Sequence, residues 1–267
     1  LISLPGTTAP VRQFPAPDSC QASNFTFRHG EELIYKIYYH WNFIWLPAGE
    51  VTFRMKEEGS QYHYQATGKT YASYDWFFQV EDTYDSWVNK PTLLPNYSER
   101  SIREGNYRIF ERIAFNQQEQ SMSVWRATRK GEPEKQTIHQ VSGCVHDILS
   151  CLYFLRNTDL ISPAAPHEIP FRIFMDQGEY PLRMRFTGVE RNKAVHGMGR
   201  YHTLRFEPTV IVGTVFKADS GMKVWVSEDE NRIPLLVETP VSVGSVKMVL
   251  KSYRGLRYPF KAKVSGS

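Results

Sequence analysis

Apolar and polar residues alternate along most of this chain, in short runs separated by turn residues. Over residues 33–39, Leu33, Tyr35, Ile37 and Tyr39 alternate with Ile34, Lys36 and Tyr38. Over 48–56, Val51, Phe53 and Met55 fall on one side and Glu50, Thr52, Arg54 and Lys56 on the other. A period of two places successive side chains on opposite faces, which is the signature of a strand. The same reading predicts strands over 61–70, 80–89, 97–104, 107–116, 121–129 and 136–140. Further strands follow over 171–176, 180–189, 201–207 and 211–216. Residues 222–253 read as three consecutive strands, with Val224 and Val226 on one face and Trp225 on the other. Glu228-Asp229-Glu230-Asn231 reads as a solvated hairpin turn between the first two. Pro240 ends the second, and Pro234 lacks a ladder N–H, so that strand should be an edge or carry a bulge. The block as a whole is expected to be the closing edge of the sheet. Residues 41–47 follow no clear period, and 71–78 (YASYDWFF) fit either a helical turn or a bulged corner.

One stretch switches period. Ile148, Cys151, Leu152 and Leu155 recur at three- and four-residue spacing, predicting a helix over 144–157. Ser142 stands where an N-cap is expected, and Asp147 places negative charge near the N-terminus. Val145, Leu149 and Phe154 broaden the apolar surface, so this helix should pack against a concave sheet face. Many strands with one helix predict an all-β, mainly antiparallel fold: a large curved sheet, or an incomplete β-barrel or roll. The expected organisation is an extended Pro-rich lead over 1–24, a single domain over 25–260 and a loose tail over 261–267.

Composition changes this picture only in places. Aromatic residues make up 14% of the 267, which favours half-buried sheet surfaces. They read first as core and cross-strand packing, and second as an apolar groove. The net charge of +4 is spread without like-charged runs, which gives no support to a nucleic-acid partner. The longest apolar runs, 148–155 and 209–216, fall short of the ~20 residues of a membrane-spanning helix. The opening LISLPGTTAP is uncharged and aperiodic, like the spacer after a cleaved export signal, so an exported protein is expected. Cys20, Cys144 and Cys151 are too few for a disulfide scaffold. On a helix, Cys144 and Cys151 would stand ~10 Å apart, so either could pair only with Cys20. Both are expected as free, buried thiols.

No catalytic constellation emerges. The eight histidines include no HExxH, and the serines no GxSxG. His146-Asp147, with Cys144 and Cys151, comes nearest to a cluster, but adjacent residues diverge on a helix. Glu81 and Asp85 share one strand face while Asp82 takes the other, and all three read as solvated carboxylates. No metal, cofactor or catalytic residue is expected.

Three stretches together resemble DUF3108, a bacterial exported family of unknown function: GEELIYKIYYHWNFIWLPAGEVTFRM over 30–55, HDILSCLYFLR over 146–156 and VWVSEDENRIPLLVE over 224–238. The Trp225–Pro234 hairpin also resembles one in the LolA/LolB/RseB-type carriers, whose curved sheets hold helices against an apolar concave face. These resemblances imply a non-catalytic periplasmic or outer-membrane-associated protein. Such a protein would bind or carry an apolar ligand, with a lipid, a lipoprotein or an envelope protein as partner. Tyr35, Tyr39, Phe53, Trp76, Phe77 and Trp225 are the candidate ligand-lining residues. The alternatives are an envelope interaction module without a small ligand, and a hydrolase.

Overall fold

The computed structural model describes residues 22–41, 44–74, 79–159, 168–209, 221–241 and 244–264. Among them, fourteen strands form one antiparallel sheet. The chain enters in the middle of that sheet with β1 (Glu32–Trp41). It then moves outward through β2 (Ile44–Glu58), β3 (Gln61–Thr70), β4 (Glu81–Asn89), β5 (Pro95–Glu104), β6 (Tyr107–Asn116) and β7 (Ser121–Ala127) to the edge strand β8 (Lys135–Gln140). The helix α1 (Ile148–Arg156) crosses to the opposite edge, β9 (Glu168–Met175). The chain returns inward through β10 (Gly178–Val195), β11 (Gly199–Pro208), β12 (Lys223–Ser227) and β13 (Pro234–Pro240) to β14 (Ser245–Arg254), which pairs with β1.

That topology corrects the place expected for residues 222–253. The block lies inside the sheet, because β14 finds its partner in β1, about 200 residues earlier in the chain. Pro234 sits in an interior strand, and its missing N–H is accommodated by a register shift between Trp225 and Val226 opposite it. A second shift, between Ile37 and Tyr38, lies opposite Pro47 and Gly49; residues 41–47 follow no single period because they span the end of β1 and the start of β2. The bulge flips the alternation partway along a hairpin whose last pair is Trp41 with Ile44. The 71–78 stretch begins with a short 3₁₀ turn, Ala72–Tyr74. Its Trp76 and Phe77 lie outside the described residues, as does the strand expected over 211–216.

The helix is shorter than its sequence pattern predicts. Asp147, in extended conformation, is the N-cap in place of Ser142: its carboxylate accepts from the N–H groups of Leu149 and Ser150, and Ser150 Oγ accepts from the Asp147 N–H. This reciprocal cap fixes the start of the helix. The residues before it instead follow β9, where the His146 N–H donates to Arg172 O at 2.9 Å and the Phe174 N–H to His146 O at 2.8 Å. Gln117, in the β6–β7 turn, exchanges bonds with the backbone of Val145. Val141 and Val145 pack with Ile113, Phe115, Val124 and Phe174. Residues 141–147 therefore tie the β6–β8 side of the sheet to the β9 edge. Cys144 is disulfide-bonded, against the expectation of a free thiol. Cys151 is free and buried, and Cys20 lies outside the described residues.

Three further expectations give way to hydrogen bonding. The loop 228–231 is an anchor, with Asn231 fully buried. Asp229 accepts from Ser227 Oγ and from the N–H groups of Asn231, Lys261 and Ala262. The C-terminal segment is held in turn: Ala262 is buried and Lys263 bridges to Tyr201. Asp85 is bound rather than solvated, with His63 Nε2 at 2.8 Å and Gln65 at 2.9 Å.

Candidate functional site: an apolar cavity beside the helix

The helix divides the inner surface of the sheet. On one side it is packed solid: Tyr153 stacks on Tyr64 with ring centroids 3.9 Å apart, and Phe27 meets Tyr62, Tyr64 and Tyr153 edge-on at 5.0–5.7 Å. Aromatic side chains bury large areas and hold offset or T-shaped geometry, so this face of β3 and β4 is filled. On the other side lies a cavity of about 600 Å³. Its volume falls within the ~300–1,000 Å³ of small-molecule sites and would hold about twenty waters at their liquid density.

The walls follow from register. Phe186, Phe206, Val224, Val237 and Met248 are successive cross-strand partners from β10 to β14, so they share one face in a transverse row. Phe206, Val224, Val237 and Met248 border the cavity, with Met184 and Leu182 behind them on β10. Ile148, Cys151, Leu152 and Leu155 of α1 form the facing wall. Leu152 is 40% exposed although its helix is largely buried, because it borders this space.

Charge enters the lining through three residues, each held by other protein groups. Arg156 makes a two-bond contact with Glu31, at 2.6 and 2.9 Å, and donates to Asn231 O at 2.9 Å. Burial works against the guanidinium's charge, but Glu31 outweighs it and holds the arginine's pKa above its ordinary value. Arg232 donates to the carbonyls of Arg156 and Thr158 and lies over the Phe25 ring. Asp176 is paired with Arg100 and Arg126. The pair Arg156–Glu31 fixes the C-terminal end of α1 to the segment leading into β1. The Asp147 carboxylate fixes the N-terminal end, accepting from Ser86 Oγ at 2.6 Å.

Of the residues read from sequence as lining, Tyr35 and Phe53 border the cavity, their rings edge-on at 5.5 Å. The Tyr35 hydroxyl donates to Pro234 O at 2.9 Å. Tyr39 lies further along β1 with its hydroxyl beside Gly244, outside the lining. Trp225 projects to the face opposite Val224 and Val226, where it is buried with Lys193 Nζ 3.7 Å from its ring centroid. Trp76 and Phe77 are outside the described residues. Sequence reasoning missed the methionines. Met175, Met184, Met222 and Met248 all border the cavity, and those on strands fall in phase with the apolar alternation.

The nearest thing to a reactive cluster is buried beside the helix start. His146 is buried, and burial alone lowers its pKa to about 3, so the ring is neutral. Burial raises the Cys151 thiol pKa, leaving it protonated. Burial likewise raises Asp147, against its bonds from Ser86 and Ser150. Among the described residues, no group of three His, Cys, Asp or Glu is placed to hold a metal, and no helix is long and apolar enough to cross a membrane.

An all-β chain with an open antiparallel sheet, one helix on its inner face and an apolar cavity beside that helix is the class this geometry defines. The model for the protein family of unknown function DUF3108 matches residues 34–251, and the chain belongs to that family. No curated protein matches the sequence. Among solved structures, the fold is similar to a beta-barrel-like protein of domain of unknown function DUF1849 from Brucella abortus. That match has a TM-score of 0.57 at 7% identity and covers 86% of this chain and 98% of the other.

Proposed function

We propose that this protein is a non-catalytic binder or carrier of an apolar ligand, a lipid or the acyl part of a lipoprotein, in the cell envelope. The observation that carries this reading is the cavity of about 600 Å³ between α1 and the inner face of β10–β14. Transferring apolar surface out of water stabilises a complex by about 25 cal/mol per Å², and a hydrocarbon chain laid along this wall gains that term without needing a polar partner. A cavity of this size lined by aliphatic and aromatic side chains costs the free protein packing contacts, which an occupant restores. Export is supported by the disulfide at Cys144, since such bonds persist in oxidising compartments.

The test is to purify the protein from its native host without detergent, extract with organic solvent and analyse the extract by mass spectrometry. A reproducible lipid in near-stoichiometric amount is the expected result. Repeated recovery of lipid-free protein that also takes up no added lipid would remove the reading.

A further inference from the structure

This inference rests on the apolar-binding reading above and sharpens it to a ligand class. Four of the chain's seven methionines, Met175, Met184, Met222 and Met248, border this cavity. Methionine is unbranched, turns about three bonds and carries a polarisable sulfur, so a wall built from it re-forms around differently shaped occupants. The Val and Ile residues of the lining are stiff by comparison, held to few χ1 wells by branching at Cβ. The methionines sit on β9, on β10, just before β12 and on β14, so the adjustable positions are spread around the cavity and not gathered at one end.

The charged groups point the same way. The guanidinium of Arg156 is held by the Glu31 carboxylate and the Asn231 carbonyl. That of Arg232 is held by the carbonyls of Arg156 and Thr158. Asp176 is held by Arg100 and Arg126. The Arg156–Glu31 pair is buried, and a headgroup that displaced it would leave a charge stranded, which costs more than it returns. Asp176 and Arg232 are less buried, and their polar atoms are already bonded to protein groups.

We infer that the cavity reads the flexible hydrocarbon chain of its ligand and not the headgroup. It accepts acyl chains over a range of lengths and does not distinguish a charged head from a neutral one.

The test is displacement of a neutral environment-sensitive dye, Nile red, from the whole protein, at a pH where fatty acids are ionised. Competitors are the saturated alcohols from decyl to octadecyl and the matching fatty acids. Affinity should rise or stay level with length, and each alcohol should match its acid within about threefold, under 1 kcal/mol. An acid–alcohol gap of about tenfold or more, the size of one charged hydrogen bond, would overturn the inference. So would a sharp optimum at one length. The double variant Met184→Leu, Met248→Leu keeps volume and should fold normally. It is expected to narrow the accepted lengths, and an unchanged range would contradict the role given to the methionines. If wild-type protein takes up no dye at all, the binding reading itself fails, which is distinguishable from selective displacement.

Discussion

The two flanks of helix α1 differ in how they are filled. Toward β3 and β4, Tyr153, Leu149 and Phe154 join Phe27, Tyr62 and Tyr64 in a closed aromatic core. Toward β10–β14, Ile148, Cys151, Leu152 and Leu155 face empty apolar space. Both flanks are built from the same alternating strands, and the difference lies in side-chain type. Large rings with few torsions fill the first flank. On the second, valines, leucines and methionines make up most of the β10–β14 wall, with the rings of Tyr180 and Phe206 among them, and they leave the space open. The lesson is that hydrophobic alternation specifies a face, while the volume of the residues on it decides whether that face becomes core or cavity.

The comparison can be broken most forcefully at the helix's C-terminal end. Arg156→Leu leaves Glu31 buried without its partner and should cost about 3–5 kcal/mol, read as a shift in the urea midpoint. Adding Glu31→Leu should recover part of that loss, since an apolar pair replaces a stranded charge. Next come truncations on the two flanks. Tyr64→Ala should cost about 3–5 kcal/mol through the cavity it opens. Val224→Ala, which already borders empty space, should cost under about 1 kcal/mol. Equal losses in the same urea titrations would mean that the second flank is packed like the first.

The pH dependence probes the joint between the flanks. His146 titrates at about 3 in the folded protein against an ordinary 6.5, because burial disfavours the charged ring. Its contribution to stability is complete above pH 6.5 and is lost as pH falls toward 3, where the unfolded chain takes up a proton that the folded one refuses. Asp82 opposes it. Burial and the neighbouring Glu104 raise its pKa to about 6 from 3.8, so its contribution is complete below 3.8 and is lost as pH rises through 6. Asp147, beside the histidine and also raised by burial, works in the same direction as Asp82. The histidine's part is therefore read as a difference: His146→Leu should lose less stability, or gain more, than wild type on acidification from pH 6.5 to 3, as followed by urea midpoints across the range. The smallest stability effect is expected from filling the cavity. Met184→Trp or Val224→Phe should change stability by no more than about 1 kcal/mol, whereas overpacking a filled core costs about 1–3.

Much of the architecture was legible in the sequence where alternation is uninterrupted. β3 and β6 run over the residues their patterns mark. It was not legible around the β1–β2 hairpin, where the chain turns between Trp41 and Ile44 and a bulge opposite Ile37 and Tyr38 changes phase. Nor was the interior position of β12–β14, which depends on the pairing of β14 with β1 and so on contacts remote in sequence. The helix start was misplaced because Val145 continues the apolar pattern while its backbone is bonded to Gln117. At the site, strand parity separates Val224 and Val226 from Trp225, but it does not say which face borders a void. Tyr35 and Phe53 were reachable from their strand phase. Leu152 and the four methionines were not, since nothing local distinguishes a side chain beside empty space from one beside another side chain.

The central claim, that the flank of α1 over β10–β14 is a binding cavity, is tested most directly by native mass spectrometry. Detergent-free wild-type protein would be compared with the Met184→Trp, Val224→Phe double variant after exposure to one fatty alcohol. The wild type is predicted to carry one bound alcohol, and the filled variant, equally folded by circular dichroism, to carry none. Equal occupancy in both proteins, or none in either, would contradict the account.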